Sequence, residues 1–267
     1  MTTDTTEQPF EVSREGDVVT LWLNRPAKRN AVTFAMWEQL PSVLEEIASS
    51  DARVLLVRGR GGHFCAGADI TGLGRALADA GTPGGYRAVN ALAEESLVSF
   101  PAPTVAVIEG NCIGGGWQIA SACDLRLAGE DLLLGITPSR LGITYPLGGV
   151  ERTVALVGPS ATKRLLFTAE LIEAEEAKAL GFIDYLVTND ELESTALALA
   201  ADLSARSLLT QLATKASVNA ITEGDLRVRE IMAAYEEIAR DSEDLDEGLA
   251  AFEARRDASF TWRPRSR

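Results

Sequence analysis

The chain has 267 residues, 46% of them hydrophobic, which suits one large domain with a sizeable core and excludes a disordered chain. Its 39 acidic and 25 basic residues leave a net charge of -14, which argues against nucleic acid and anionic membranes as partners. No apolar run approaches the roughly 20 residues that a membrane span needs. The polar stretch 1–8 lacks a basic or apolar signal region, so a cytoplasmic protein is expected.

Residues 1–10 read as disordered, although Phe10-Glu11-Val12 already has the look of a strand. Val18 to Leu23 reads as a second strand, after a turn at Glu15-Gly16-Asp17. Thr33 is a candidate N-cap for a helix over 34–48, with Met36, Leu40, Val43, Leu44 and Ile47 on one face. Pro41 is expected to kink or split that helix. Residues 53–58 form the next strand. Residues 71–85, rich in Gly and Ala, read as a mobile loop with a short helix, placed to cover a ligand. A helix follows over 86–100, then a strand over 103–108, and residues 117–127 can run as a helix.

Beyond it, 125–128 and 132–136 read as short strands, and 137–149 as a loop with a possible helical turn. Helices are expected over 151–157, over 161–167 with Ser160 as cap, and over 173–180. A last strand covers 182–187. Helices over 190–206, 208–223, 226–239 and 244–256 complete the chain. Strands and helices in alternation, followed by helices alone, imply an α/β core and a helical C-terminal part. The boundary falls near residue 205, giving a core over 11–205 and a helical region over 206–267.

Two stretches carry the chemistry. Asn111 to Gln118 holds three successive glycines between a strand and an apolar helix, and His63 to Ile70 is a second small-residue turn after a strand. Glycines let a ligand approach the backbone closely. The first N–H groups of a helix lack internal partners and favour negative charge. Two such turns could aim one N–H each at a single oxygen, an arrangement that stabilises an enolate or a tetrahedral anion. The alternative is that the glycines only let the helix pack tightly on the sheet.

Cys65, Cys112 and Cys123 match no metal-binding spacing, and an odd number speaks against a disulfide framework, so free buried thiols and no metal are expected. His63 is the only histidine and no G-x-S-x-G elbow is present, so His63 reads as loop filler.

The turns Phe64-Cys65-Ala66-Gly67-Ala68-Asp69 and Gly114-Gly115-Gly116-Trp117-Gln118 resemble the crotonase (enoyl-CoA hydratase/isomerase) superfamily. So do Leu23 to Ala31, Cys123-Asp124-Leu125-Arg126, and Asp241-Ser242-Glu243-Asp244 with Glu247-Gly248 and Ala251-Phe252. The resemblance implies an α/β spiral of ββα units with a helical C-terminal oligomerisation region, as trimers or dimers of trimers. It implies an acyl-CoA substrate and no cofactor beyond that substrate's coenzyme A moiety. The N–H groups of Ala68 and Gly115 would form the oxyanion hole. Ala27, Lys28, Arg29, Ala31, Ala66, Asp69 and Ile70 would line the coenzyme A path. Arg25, Lys28 and Arg29, with Arg255 and Arg256, either offset the negative field that coenzyme A would meet or are scattered solvated charges.

The departures are informative. Family hydratases activate water with two glutamates, and these positions hold Gln118 and Pro138 here. An amide cannot take a proton at neutral pH, so standard hydration is not expected. Glu109 and Glu151 are the candidates for another base. Residues 137–149 resemble the corresponding loop of the superfamily's methylmalonyl-CoA decarboxylases, with Tyr145 on their active-site tyrosine, although Ala68 stands where those enzymes carry histidine. Three readings follow: an enolate-stabilising acyl-CoA enzyme, a malonyl-type decarboxylase using Tyr145, or a catalytically silent acyl-CoA-binding oligomer.

Overall fold

The computed structural model describes residues 8–71, 74, 81–82 and 84–264. A seven-stranded mixed sheet forms the centre, in the order β1-β2-β3-β4-β5-β6, with β7 also pairing β5. β1 (Phe10–Glu15) and β2 (Val18–Leu23) make an antiparallel hairpin, so Phe10, within the stretch expected to be disordered, opens a strand and is buried, while residues 1–7 lie outside the described residues. β3 (Val54–Gly59) lies parallel to β2 and to β4 (Thr104–Ile113), and β4 is parallel to β5 (Leu125–Gly135). The short β6 (Leu171–Glu173) runs antiparallel to β5, and β7 (Tyr185–Val187) parallel to it.

β3 is buried along its whole length because it is covered on both faces. Alternate residues divide between two cores. Leu55, Val57, Ala106 and Ile108 join the larger one, with α1 (Phe34–Ala48), α2 (Tyr86–Val98) and α3 (Gly115–Ala122). Val54, Leu56, Val105 and Val107 face α6 (Leu192–Ser204), through Leu192, Ala196 and Ala200. The side-chain period of two along a strand sorts one sequence onto two surfaces.

Several elements differ from the sequence reading. β4 runs on through Asn111, Cys112 and Ile113, which pair with Leu133, Leu134 and Gly135 across a bulge near Gly110. The expected short strands 125–128 and 132–136 are one strand, β5, and α3 stops at Ala122 to make room for it. Pro41 leaves α1 continuous, and Thr33 caps it by accepting a hydrogen bond from Met36 N–H. α4 (Leu147–Thr168) joins two helical segments at Gly158, whose φ of +79° breaks the helix, so Ser160 lies inside the second segment and caps nothing. The loop expected over 71–85 falls largely outside the described residues.

α5 (Ala174–Ala179) follows β6, and the C-terminal part comprises α7 (Leu208–Glu223), α8 (Val228–Arg240) and α9 (Asp244–Ala254). Buried polar ties hold it to the core. Arg53 donates to the carbonyls of Arg206 and Phe260 and Lys215 pairs with Asp124 at 2.9 Å, while within the C-terminal part Ser207 Oγ donates to Asp244 at 2.6 Å. Asp124 and Asp244, both in the resembling motifs, are thereby structural. No helix among the described residues is long and apolar enough to cross a membrane.

Candidate functional site

The two small-residue turns are stitched side by side. Cys65 N–H donates to Asn111 O at 2.8 Å and Ile113 N–H to Cys65 O at 2.9 Å, so residues 64–66 add to the end of β4. On the other side Val32 N–H donates to Gly67 O and Asp69 N–H to Val32 O, both at 2.8 Å. The close approach demands glycine. A Cβ on Gly116 would lie 2.6 Å from Cys65 O, and Gly114, at φ +53°, turns the chain from β4 into α3.

This stitching leaves two backbone donors free. Ala68 N–H and Gly115 N–H make no hydrogen bond among the described residues. A Cβ built on Gly115 would sit 3.6 Å from Ala68 N, so the two groups flank one small space. That space opens into a cavity of about 370 Å³. Of the residues singled out from the sequence, Ala66, Ala68, Ile70, Gly115, Gln118, Pro138 and Tyr145 line it together. Ala27, Lys28, Arg29, Ala31 and Asp69 do not.

Arg29 and Asp69 adjoin lining residues. Ala27, Lys28 and Arg29 sit on and just after an exposed 3-10 turn, and Arg29 O accepts from Ala66 N–H at 2.9 Å. Asp69 accepts from Arg25 at 2.9 Å and from Thr71 N–H at 2.9 Å. Its burial raises the carboxyl pKa, but these hydrogen bonds outweigh that and hold it below the usual range. Arg25 and Arg256 are committed to Asp69 and Glu247, so neither is a free cation for a ligand phosphate.

Gln118 is 3% exposed at the cavity floor. Its Nε2 donates to Asn90 Oδ1 at 3.0 Å and to Glu94 Oε1 at 2.5 Å. Glu94, 2% exposed, is also ion-paired with Arg152. Burial lowers the Arg152 pKa to about 10, which still leaves it charged at neutral pH. A carboxylate paired with an arginine only accepts hydrogen bonds, so it fixes Gln118 with its NH2 toward α2 and its Oε1 away from Glu94.

Sequence reasoning missed this network. Glu109 and Glu151 do not line the cavity; the carboxylate coupled to its floor is Glu94. The available signal was local: Asn90 and Glu94, four apart, fall on the same helix face as the buried Ala93 and Leu97.

Tyr145 also lines the cavity, and its hydroxyl donates to Gly114 O at 3.1 Å. Burial pushes its pKa well above the ordinary phenol value. The thiols are inert: burial drives Cys65 and Cys123 to about 12 and Cys112 well above its usual value. They are free and buried, and no cluster of potential metal ligands exists among the described residues.

The chain is similar to known proteins over nearly its whole length. The enoyl-CoA hydratase/isomerase family model matches residues 13–263. A mitochondrial protein of Arabidopsis thaliana, named "Probable enoyl-CoA hydratase 2", is 33% identical over 258 residues, covering 92% of this chain and 82% of its own. The 2,3-dehydroadipyl-CoA hydratase of Escherichia coli is 30% identical, over 94% of this chain and 98% of its own. A crystal structure of an enoyl-CoA hydratase/carnithine racemase from Magnetospirillum magneticum superposes with a TM-score of 0.89 at 29% identity, covering 96% of both chains. With its family match across nearly the whole chain and its sheet and C-terminal helices shared with solved members, this protein belongs to the enoyl-CoA hydratase/isomerase family, in the crotonase superfamily.

Proposed function

We propose that the chain binds an acyl-CoA thioester with its carbonyl oxygen between Ala68 N–H and Gly115 N–H, and stabilises the enolate formed from it. The observation that carries this is the pair of unpartnered N–H groups at the cavity wall. A developing oxyanion there gains two donors and the positive end of α3. The cavity volume, about 370 Å³, suits an acyl group. Coenzyme A would pass along Ala27, Lys28, Arg29 and Ala31 to Ala66, Asp69 and Ile70.

Among enolate reactions we favour decarboxylation of a malonyl-type thioester. Gln118 offers an oxygen that accepts hydrogen bonds but no proton, and Pro138 offers neither, so water activation lacks a base. Decarboxylation needs none. The bond from the α-carbon to the carboxylate breaks, its electron pair passes into the thioester as an enolate oxyanion, and carbon dioxide leaves. A proton from water then restores the α-carbon.

Tyr145 acts here through the oxyanion hole rather than on the substrate itself. Gly114 C=O and Gly115 N–H belong to one peptide group. A hydrogen bond from Tyr145 to that carbonyl orients the peptide and polarises its N–H toward the oxyanion. Tyr145 is thus a positioning residue, and its raised pKa keeps it a donor to beyond about pH 10. Wild-type protein should release carbon dioxide from malonyl-, methylmalonyl- or ethylmalonyl-CoA. Tyr145→Phe should slow this roughly 10-fold, with kcat falling more than KM rises. If wild-type protein decarboxylates none of the three, this reaction is wrong and only enolate stabilisation remains.

We also infer that residues 206–267 are an oligomerisation region, building a trimer or dimer of trimers. Its apolar side chains Leu226 and Phe252 are 97% and 84% exposed in the single chain.

A further inference from the structure

Among the described residues, Arg87 is the only charged one lining the cavity. It has no acidic partner among the described residues, whereas nine other arginines there are ion-paired. A guanidinium has five N–H donors, and the hydrogen bond found for this one runs from Nη2 to Thr144 Oγ1 at 3.1 Å. That bond holds the side chain against the 137–146 loop, the cavity wall that also carries Tyr145.

Helix stability does not account for this placement. Arg87 is the second residue of α2, at the positive end of the helix dipole, where a cation is disfavoured. Nor does general charge balance, since a chain of net charge -14 has many carboxylates to offer and none of those described pairs with it. What a forked cation with no acidic partner, alone in charge among the described lining residues, can recognise is an anion, and a carboxylate fits its two-pronged geometry.

We propose that Arg87 selects acyl-CoA thioesters whose acyl group carries a carboxylate, by pairing with that carboxylate inside the cavity. This rests on the acyl-CoA reading above and narrows its substrate class. A cation on the acyl carboxylate also offsets the protein's overall negative field, which repels such a substrate more than a neutral one. The pairing stabilises the bound reactant, so the effect is read in binding rather than in the chemical step.

The test is calorimetric binding of three carboxylated acyl-CoAs, from succinyl to adipyl, which carry no carboxylate on the α-carbon to lose, each against the neutral acyl-CoA of the same chain length. Wild-type protein and Arg87→Gln are compared; the residue is exposed, so the variant should fold. Expected is tighter binding of at least one carboxylated member than of its neutral match. Arg87→Gln should abolish that advantage, weakening the acid roughly 10-fold while leaving the neutral thioester unchanged. Arg87→Lys should restore part of it. Equal weakening of both members would assign Arg87 to a coenzyme A phosphate and overturn the proposal. So would unchanged binding of the acids. Failure of wild-type protein to bind any acyl-CoA would instead overturn the acyl-CoA reading, and this inference with it.

Discussion

Gly115→Pro is expected to lower turnover of any thioester substrate by roughly 10²-fold or more, the cost of removing one oxyanion donor. Proline deletes the N–H and sets its ring carbon where the hydrogen pointed, so the space between Ala68 and Gly115 is both unpaired and filled. The backbone demand is modest, because residue 115 opens α3 and proline is favoured at the first position of a helix. Gly115→Ala separates donor loss from bulk. It keeps the N–H, and its Cβ would meet Trp37, Gly67 and Ala68 at 3.4 to 3.6 Å, which is ordinary contact. Alanine should therefore retain much more activity than proline. Steady-state kinetics on both variants, with thermal melts to confirm folding, decide the matter. Equal activity of wild type and the folded proline variant would remove Gly115 N–H from the chemistry.

The cavity wall contributed by backbone was readable in the sequence because its cause is local. Three glycines after a strand and Ala66-Gly67-Ala68 after another announce exposed N–H groups, and both turns do line one cavity. α1 was readable for the same reason: Thr33 and the spacing of its apolar residues fix start and face within one segment. Asn111 to Ile113 misled because Asn and Gly signal turns, whereas pairing with Leu133 to Gly135 overrides that local preference. Residues 125–127, Leu-Arg-Leu, are too short a segment to tell helix from strand by period. The floor of the cavity was not readable at all. Asn90 and Glu94 come from α2, Gln118 from α3 and Arg152 from α4, and nothing but tertiary packing brings them together.

That floor sets the second large effect. Gln118→Glu, the change that looks like restoring a family glutamate, should destabilise the protein by about 3–5 kcal/mol at pH 7, the scale of an uncompensated buried charge. The amide nitrogen it removes donates to Glu94 Oε1 at 2.5 Å and to Asn90 Oδ1 at 3.0 Å. In its place comes a second carboxylate against Glu94, in a site where residues 94 and 118 are 2% and 3% exposed. Arg152 can balance only one of the two charges.

One carboxyl of that pair must then hold a proton, so its pKa in the folded state rises above the ordinary value of about 4.3. Between those two pKa values the folded variant binds a proton that the unfolded chain has released. Stability therefore falls as pH rises through this window, and the penalty vanishes below about pH 4. Urea midpoints between pH 5 and 8 should show a gap to wild type that widens with pH. The double variant Gln118→Glu with Glu94→Gln restores one carboxylate and one amide, and should close most of that gap, a coupling readable as a double-mutant cycle. Hydration of crotonyl-CoA should stay far below ~10³ s⁻¹, the upper range of typical enzymes, in wild type and Gln118→Glu alike, since Pro138 still supplies no second carboxylate. A gap independent of pH, or no rescue by the swap, would mean that residue 118 does not face Glu94 in the folded protein.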